Sequence, residues 1–247
     1  MNAVYILWLR ELKRYFRSRS RMIGSLGQPL LLLIALGFGL GPVFQRAGQG
    51  NYFQFLAPGV ISMSILFMSI FAGIQVIWDR QFGFLKETLV APVSRLSIML
   101  GKTLGGATIA VIQGVFVFLL ALIVGFRPDF NLLPLALLFM FMIAVFFTAV
   151  GITIASLLED MNGFQVIMNF LVQPLFFLSG ALFPLNSAPQ FLRVITSFDP
   201  LTYGVDGIRA CLTATNHYSI YFDLLVLLVL IAIIMIIGSY FFSKIEI

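Results

Sequence analysis

Hydrophobic residues along this chain come in long blocks, not in the short alternating runs of a soluble sheet or the broken stripes of a soluble helix. Six blocks, at about residues 22–44, 54–78, 103–126, 132–158, 162–184 and 219–242, are long and apolar enough to cross a bilayer, since a spanning helix needs about 20 mostly apolar residues. Pro134 falls in the first turn of the fourth block, where its missing N–H removes no helix hydrogen bond. About twenty charged and aromatic residues precede the first block. The apolar run at 30–36 therefore reads as part of a span and not as a cleaved signal.

Three shorter patterns lie between or before these blocks. Within residues 4–17, Tyr5, Trp8, Leu9, Leu12 and Tyr15 or Phe16 recur at helical spacing, while Arg10, Lys13, Arg14 and Arg17 gather on the opposite face. This predicts an amphipathic helix at the membrane interface (residues 1–21), its cations toward anionic headgroups. Between the second and third blocks, Phe84, Leu85, Thr88 and Leu89 give a short helix an apolar flank, and Pro92 stops it. Between the fifth and sixth, residues 187–214 predict two short helices, forming a re-entrant or interfacial hairpin on the outer side. Ser187 and Gln190 have capping-box spacing, and Asp199 before Pro200 is a good helix start. Leu201, Val205, Ile208 and Leu212 make the apolar face of that second helix, with Asp206, Arg209 and Thr213 on its polar side.

Composition agrees with the pattern. Hydrophobic residues make up 60% of the 247, charged residues only 10%, and the mean hydropathy is +1.04. Soluble domains carry about 25% charged residues, so the expected fold is an all-α polytopic membrane protein forming one transmembrane domain over 1–247. Lysine and arginine then report topology and not a nucleic-acid surface. Six precede the first span (Arg10, Lys13, Arg14, Arg17, Arg19, Arg21), four lie between the second and third (Arg80, Lys86, Arg95, Lys102), and Lys244 follows the last. Only Arg46, Arg127, Arg193 and Arg209 fall on the other side. This eleven-to-four bias places both termini in the cytoplasm.

The single Cys211 and single His217 leave no disulfide, no metal-ligand set and no nucleophile–histidine pair to build on. Glu159 and Asp160 are the one adjacent carboxylate pair, and they read as a helix-terminus contact. No enzyme is expected. Gly101-Lys102-Thr103 spells the end of a phosphate-binding loop, but that loop needs a glycine five positions before Gly101, where this chain has Leu96. Lys102 instead marks the edge of the third span, and Gly101/Gly105 have the spacing that permits close helix contact. Gly37/Gly41 in the first span have it too.

In the fifth span Gln165, Asn169 and Gln173 recur every four residues, with Asn162 just before them and Pro174 after. Amides in hydrocarbon face protein or a wet cavity, so this stripe either lines a translocation path or hydrogen-bonds neighbouring helices or a dimer mate as packing. The 27 phenylalanines are spread through the spans, and none stands out for a substrate role. An ion-coupled secondary transporter or channel is the alternative reading, but it calls for ionisable residues within the spans, and these lie only at the predicted edges.

The run GFLKETLVAPVSRLSIMLGK resembles a pattern of the type-2 membrane subunits of ATP-binding-cassette (ABC) exporters, a glycine, a leucine-rich helix, then Pro-Val-Ser-Arg and a closing Gly-Lys. Where that family commonly has Leu-Glu, this chain reads Leu85-Lys86-Glu87, so the acid is displaced by one position. FLSGALFPL followed by FDPLTYGVDGIR resembles the family again in the outer segment, and the six-span plan covers the chain. The resemblance implies a permease in the plasma membrane, acting as a dimer of two copies with two separate ATPase subunits docked beneath. Its substrate would be an amphiphile such as a drug, a lipid or a lipid-linked glycan. ATP and magnesium would bind the partner and no cofactor this chain. It also implies that residues 83–91 form a coupling helix seated in the ATPase, with Gly83, Phe84, Leu85, Glu87, Thr88, Leu89, Pro92 and Arg95 as the coupling set. The first helix resembles the family's connecting helix, and the outer segment, with Asp199, Pro200, Tyr203, Asp206 and Arg209, its exit cap.

Overall fold

A computed structural model describes residues 3–46, 50–84, 93–158 and 160–243, with the side chains of Arg21, Ser187 and Ser243 left out. In chain order the principal helices are α1 (Ala3–Arg17), α2 (Arg19–Arg46), α3 (Tyr52–Gln81), α4 (Arg95–Val124), α5 (Leu133–Leu157), α6 (Met161–Leu178), α7 (Gln190–Ser197), α8 (Pro200–Thr213) and α9 (Ile220–Ser243). No strand occurs among the described residues. Six of the helices (α2, α3, α4, α5, α6 and α9) are long and apolar enough to span a membrane.

The spans are not equivalent. Within its most apolar stretch, 72% of α3 is buried inside the chain, against 22% of α6, 17% of α2 and 11% of α9. Helix α3 is the central post, packed against α5, α4, α2 and α8. Its approach to α5 is backbone to backbone, because a side chain on Gly73 would strike the carbonyl of Gly151 and one on Gly151 would strike Ile70. Close packing of this kind drives helix association where the surrounding solvent is as apolar as the side chains. Helices α2, α6 and α9 flank this core and leave large apolar residues such as Phe38, Phe170 and Ile236 exposed, as a bilayer allows.

Length separates them further. Helices α3 and α4 have 30 residues each, about 45 Å at 1.5 Å per residue, whereas the hydrocarbon core is about 30 Å thick. Each therefore overshoots the core by about 15 Å. Helix α4 starts at Arg95, eight residues before the apolar block, and α1 packs along this early part of it.

Three local expectations change. First, Ser187 lies in a short 3-10 turn and α7 begins at Gln190 directly after Pro189, with no side-chain cap. The Ser187/Gln190 capping box does not form, because a proline intervenes at the helix start. Second, α6 is not a uniform α-helix before Pro174. Residues Met168–Val172 form a π-helical turn just before it, which accommodates the carbonyl that proline leaves without its usual donor. Third, α8 is buried on both faces, Asp206 and Arg209 included. It is not an amphipathic helix with one wet side.

Candidate functional site

Helix α1 and the ends of α3 and α4 meet around one carboxylate. Asp79, two residues before the end of α3, is 3% exposed. Arg10 Nη2 donates to its Oδ2 at 2.7 Å, Arg14 Nη1 lies 3.5 Å from its Oδ1, and Lys102 Nζ donates to Oδ2. Glu11 is buried beside them, its Oε1 3.9 Å from Arg10 Nε. Arg14 also stands over the Trp78 ring at 6.0 Å. Removing one partner from such a buried group leaves charge without compensation, at a cost of about 3–5 kcal/mol.

The glycines of the GKT stretch make this arrangement possible. Gly101 faces Leu7 and the Val4 carbonyl, and Gly105 faces the Glu11 side chain. The small-residue pair thus receives α1, not a neighbouring span, while Trp8 Nε1 donates to Thr108 Oγ1 at 3.0 Å one turn further on. Lys102 is only 4% exposed, an internal ion-pair partner more than a boundary marker. Arg10 and Arg14, expected to face headgroups, turn into the protein because Asp79 offers them a fixed anion.

The chain leaves the end of α3 beside this hub and re-enters at the start of α4. Phe82 N–H and Gly83 N–H close the end of α3 on Trp78 O and Arg80 O, with Gly83 at φ +80°, a conformation that suits glycine. Phe84 is exposed. Leu85, Glu87, Thr88, Leu89 and Pro92 lie outside the described residues. The chain re-enters at Ser94, whose Oγ accepts from Ser97 N–H at 3.2 Å and starts α4 at Arg95. The end of α3 and the start of α4 are thus cross-tied by Asp79 and Lys102.

In α6, Gln165, Asn169 and Gln173 are all exposed on the single chain, while Phe164, Met168, Val172 and Phe176 fill the opposite, buried stripe. The amides therefore lie outside the buried interior of the chain. A separate cavity of about 410 Å³ lies between α2, α3 and α4, lined by Ser25, Gln28, Met63, Ser64, Phe67 and Gln113 among others. Gln113 is buried, its Oε1 within reach of Tyr15 Oη (3.3 Å) and Ser25 Oγ (3.0 Å), and its Nε2 is unpartnered. Of the first-span glycines, Gly37 faces Phe53 of α3 and Gly41 faces open space.

On the opposite side, Asp199 Oδ1 caps α8 by accepting from Leu201 N–H at 2.9 Å, as its place before Pro200 predicts. Burial raises its carboxyl to about 7, partly opposed by that N–H. Asp206 accepts from His217 N–H (2.8 Å) and Tyr218 N–H (2.7 Å). Arg209 lies over the Phe55 ring at 3.9 Å and donates through Nη2 to Gly180 O at 3.1 Å. Burial lowers Arg209 to about 10, with Asp206 opposing the shift. Tyr203 Oη donates to Ser197 O at 2.6 Å. These polar groups of α8 hold backbone in place.

Residues 2–213 match the ABC-2 type transporter family. The chain belongs to that family. It is 32% identical over 217 residues to the transport permease ycf38 of Cyanophora paradoxa, covering 85% of this chain and 73% of the relative. The ycf38 permease of Pyropia yezoensis is 30% identical over 227 residues, with 87% and 76% covered. Nodulation protein J of Rhizobium leguminosarum bv. trifolii is 29% identical over 207 residues, with 83% and 76% covered. This ABC-2 chain is accordingly a multi-pass membrane component of an ABC transporter, as the loop and outer-segment motifs imply.

Sequence reasoning overlooked Asp79 as the hub of the ABC-2 chain. Its signal was available: an acid at the end of one apolar block, a lysine at the start of the next, and two arginines four apart on a short helix.

Proposed function

We propose that this chain is the permease half of an ATP-driven exporter for an amphiphilic substrate, a single transmembrane unit acting as two copies with two separate ATPase subunits. The observation that carries the reading is the hub. A partner pushing on the 83–94 segment would move α3, α4 and α1 together, because Asp79 binds all three. ATP and magnesium belong to the ATPase, which docks on the cytoplasmic side of the plasma membrane, where both termini lie. Gly83, Phe84, Leu85, Glu87, Thr88, Leu89, Pro92 and Arg95 form the surface it engages.

The cavity between α2, α3 and α4 supports an amphiphile as substrate. Its volume falls within the range of small-molecule sites, no charged side chain lines it among the described residues, and the buried Gln113 amide gives it a polar anchor. The exposed stripe Gln165, Asn169 and Gln173 takes its place at the seam between copies or along the path they enclose. Helices α7 and α8, with Asp199, Pro200, Tyr203, Asp206 and Arg209, form a re-entrant cap at the outer end.

Coexpressed with its cognate ATPase, the chain is expected to purify as a two-plus-two particle that hydrolyses ATP, while the chain alone hydrolyses none. Nucleotide binding by the isolated chain would overturn this reading. Replacing Gln165 and Asn169 by leucine distinguishes the two uses of the stripe. Loss of the dimer on size-exclusion chromatography marks a seam, and an intact dimer with altered transport marks a path.

A further inference from the structure

The cavity between α2, α3 and α4 has a wall of two kinds. Met63, Phe67 and Met68 of α3 make it apolar and soft, since thioethers adapt to a ring placed against them. Gly24 of α2 keeps it open, because a side chain there would meet nothing within 4 Å. One polar group breaks the pattern. Gln113 of α4 is 1% exposed, and its Nε2 has no partner among the described residues.

This amide is held from two other helices. Tyr15 Oη of α1 donates to Gln113 Oε1 at 3.3 Å, and Ser25 Oγ of α2 lies 3.0 Å from the same oxygen. With the oxygen engaged by two hydroxyls, the side chain has only its N–H donors left. Ser64, also buried in this wall, spends its proton on Ile61 O at 2.8 Å. The wall therefore offers a donor and asks for an acceptor. A buried N–H without an acceptor is costly, and a lone water would find few partners on so apolar a wall.

Charge decides the rest of the ligand's chemistry. No charged side chain lines the cavity among the described residues, so an ionised ligand would give up its hydration with nothing opposite it. An uncharged ligand avoids that cost. Aromatic rings suit the wall best, because they pack favourably against both methionine sulfur and phenylalanine edges.

We propose that this cavity, present within each single copy of the chain, binds an uncharged aromatic ligand through a carbonyl oxygen. Gln113 Nε2 donates to that oxygen, and Met63, Phe67 and Met68 hold the rings. Tyr15 is a positioning residue that acts through Gln113. Calling this ligand cargo rests on the exporter reading; its binding does not.

The test is photolabelling of the full-length chain, purified in detergent, with three probes. Benzophenone is an uncharged two-ring ketone, para-benzoylbenzoate adds a carboxylate to it, and phenyl(trifluoromethyl)diazirine has a ring but no oxygen. Peptide mass spectrometry reads the labelling of Met63, Phe67 and Met68 against probe concentration. Benzophenone should label them saturably, and para-benzoylbenzoate should not. Gln113→Leu should raise the half-saturating benzophenone concentration about fivefold, the worth of one hydrogen bond, and leave diazirine labelling unchanged. Tyr15→Phe, outside the cavity wall, should raise it by a smaller factor, and it carries the comparison if Gln113→Leu fails to fold. Gly24→Leu fills the cavity and should abolish saturable labelling by both uncharged probes. Labelling that never saturates, or half-saturation unmoved in both Gln113→Leu and Tyr15→Phe, overturns the proposal. So does para-benzoylbenzoate labelling as strong as benzophenone's. Equal loss of both uncharged probes on Gln113→Leu would make the amide a packing group and overturn it too. A chain that binds benzophenone as expected yet never assembles with an ATPase would refute the exporter reading and leave the site standing.

Discussion

Asp79 and Asp206 are both buried carboxylates of this chain, one near the end of α3 and the other midway along α8, and they are satisfied in different ways. Asp79 is held by side-chain cations from α1 and α4, so three separate helices share one anion. Asp206 accepts backbone N–H groups from one neighbouring loop. The first arrangement ties together rigid bodies that differ in sequence position by up to 92 residues. The second fixes a short local connection beside the helix that carries the acid. A charge shared between long side chains lets helices move as a unit, whereas a carboxylate bonded to backbone amides holds one loop shape.

The largest expected effect comes from breaking the shared charge. Asp79→Ala leaves the 4%-exposed Lys102 and two arginines without their anion and should cost about 3–5 kcal/mol, read as a lowered unfolding midpoint in detergent. Asp206→Asn keeps one acceptor for the loop amides and should cost only about 1–2 kcal/mol. Equal losses would erase the distinction. Gly105→Leu comes next. It inserts a side chain where Glu11 already packs and should cost about 1–3 kcal/mol by overpacking, lowering coupled ATPase activity as α1 is displaced. Gly39→Leu, which meets open space, is the control and should leave stability unchanged.

The smallest effect concerns pH at the start of α8. Burial raises Asp199 from 3.8 to about 7, so the folded state holds this proton more tightly than the unfolded state does. Its favourable contribution is full below about pH 4 and is lost as pH rises through 7. Asp199→Asn still caps α8 and removes this titration. Hydrogen exchange of the α8 amides should accelerate between pH 5 and 8 in the wild type, after correction for intrinsic rates, and stay flat in the variant.

Much of the architecture was legible because a bilayer imposes a coarse rule. Each span must satisfy its own backbone and present apolar side chains over a fixed thickness, so block length alone locates six helices. The α8 start at Asp199-Pro200 was equally local, a cap residue followed by a proline. The capping box at Ser187 failed for an equally local reason, since Pro189 resets the start of the helix. The site was less legible. The direction in which Arg10 and Arg14 point depends on Asp79, some seventy residues away, and the polar face of α8 reads as wet until its neighbours are known.

The sequence by itself determined that this is a six-span ABC-2 chain, that α1 is amphipathic, and that GKT lacks the first glycine of a phosphate-binding loop. Block length, helical spacing and the missing first glycine are local properties of the chain. Only the tertiary structure decided what that tripeptide is for. Gly101 and Gly105 admit α1, and Lys102 closes on Asp79, because the approach of two helix surfaces and the pairing of distant charges depend on three-dimensional proximity, which no local pattern specifies.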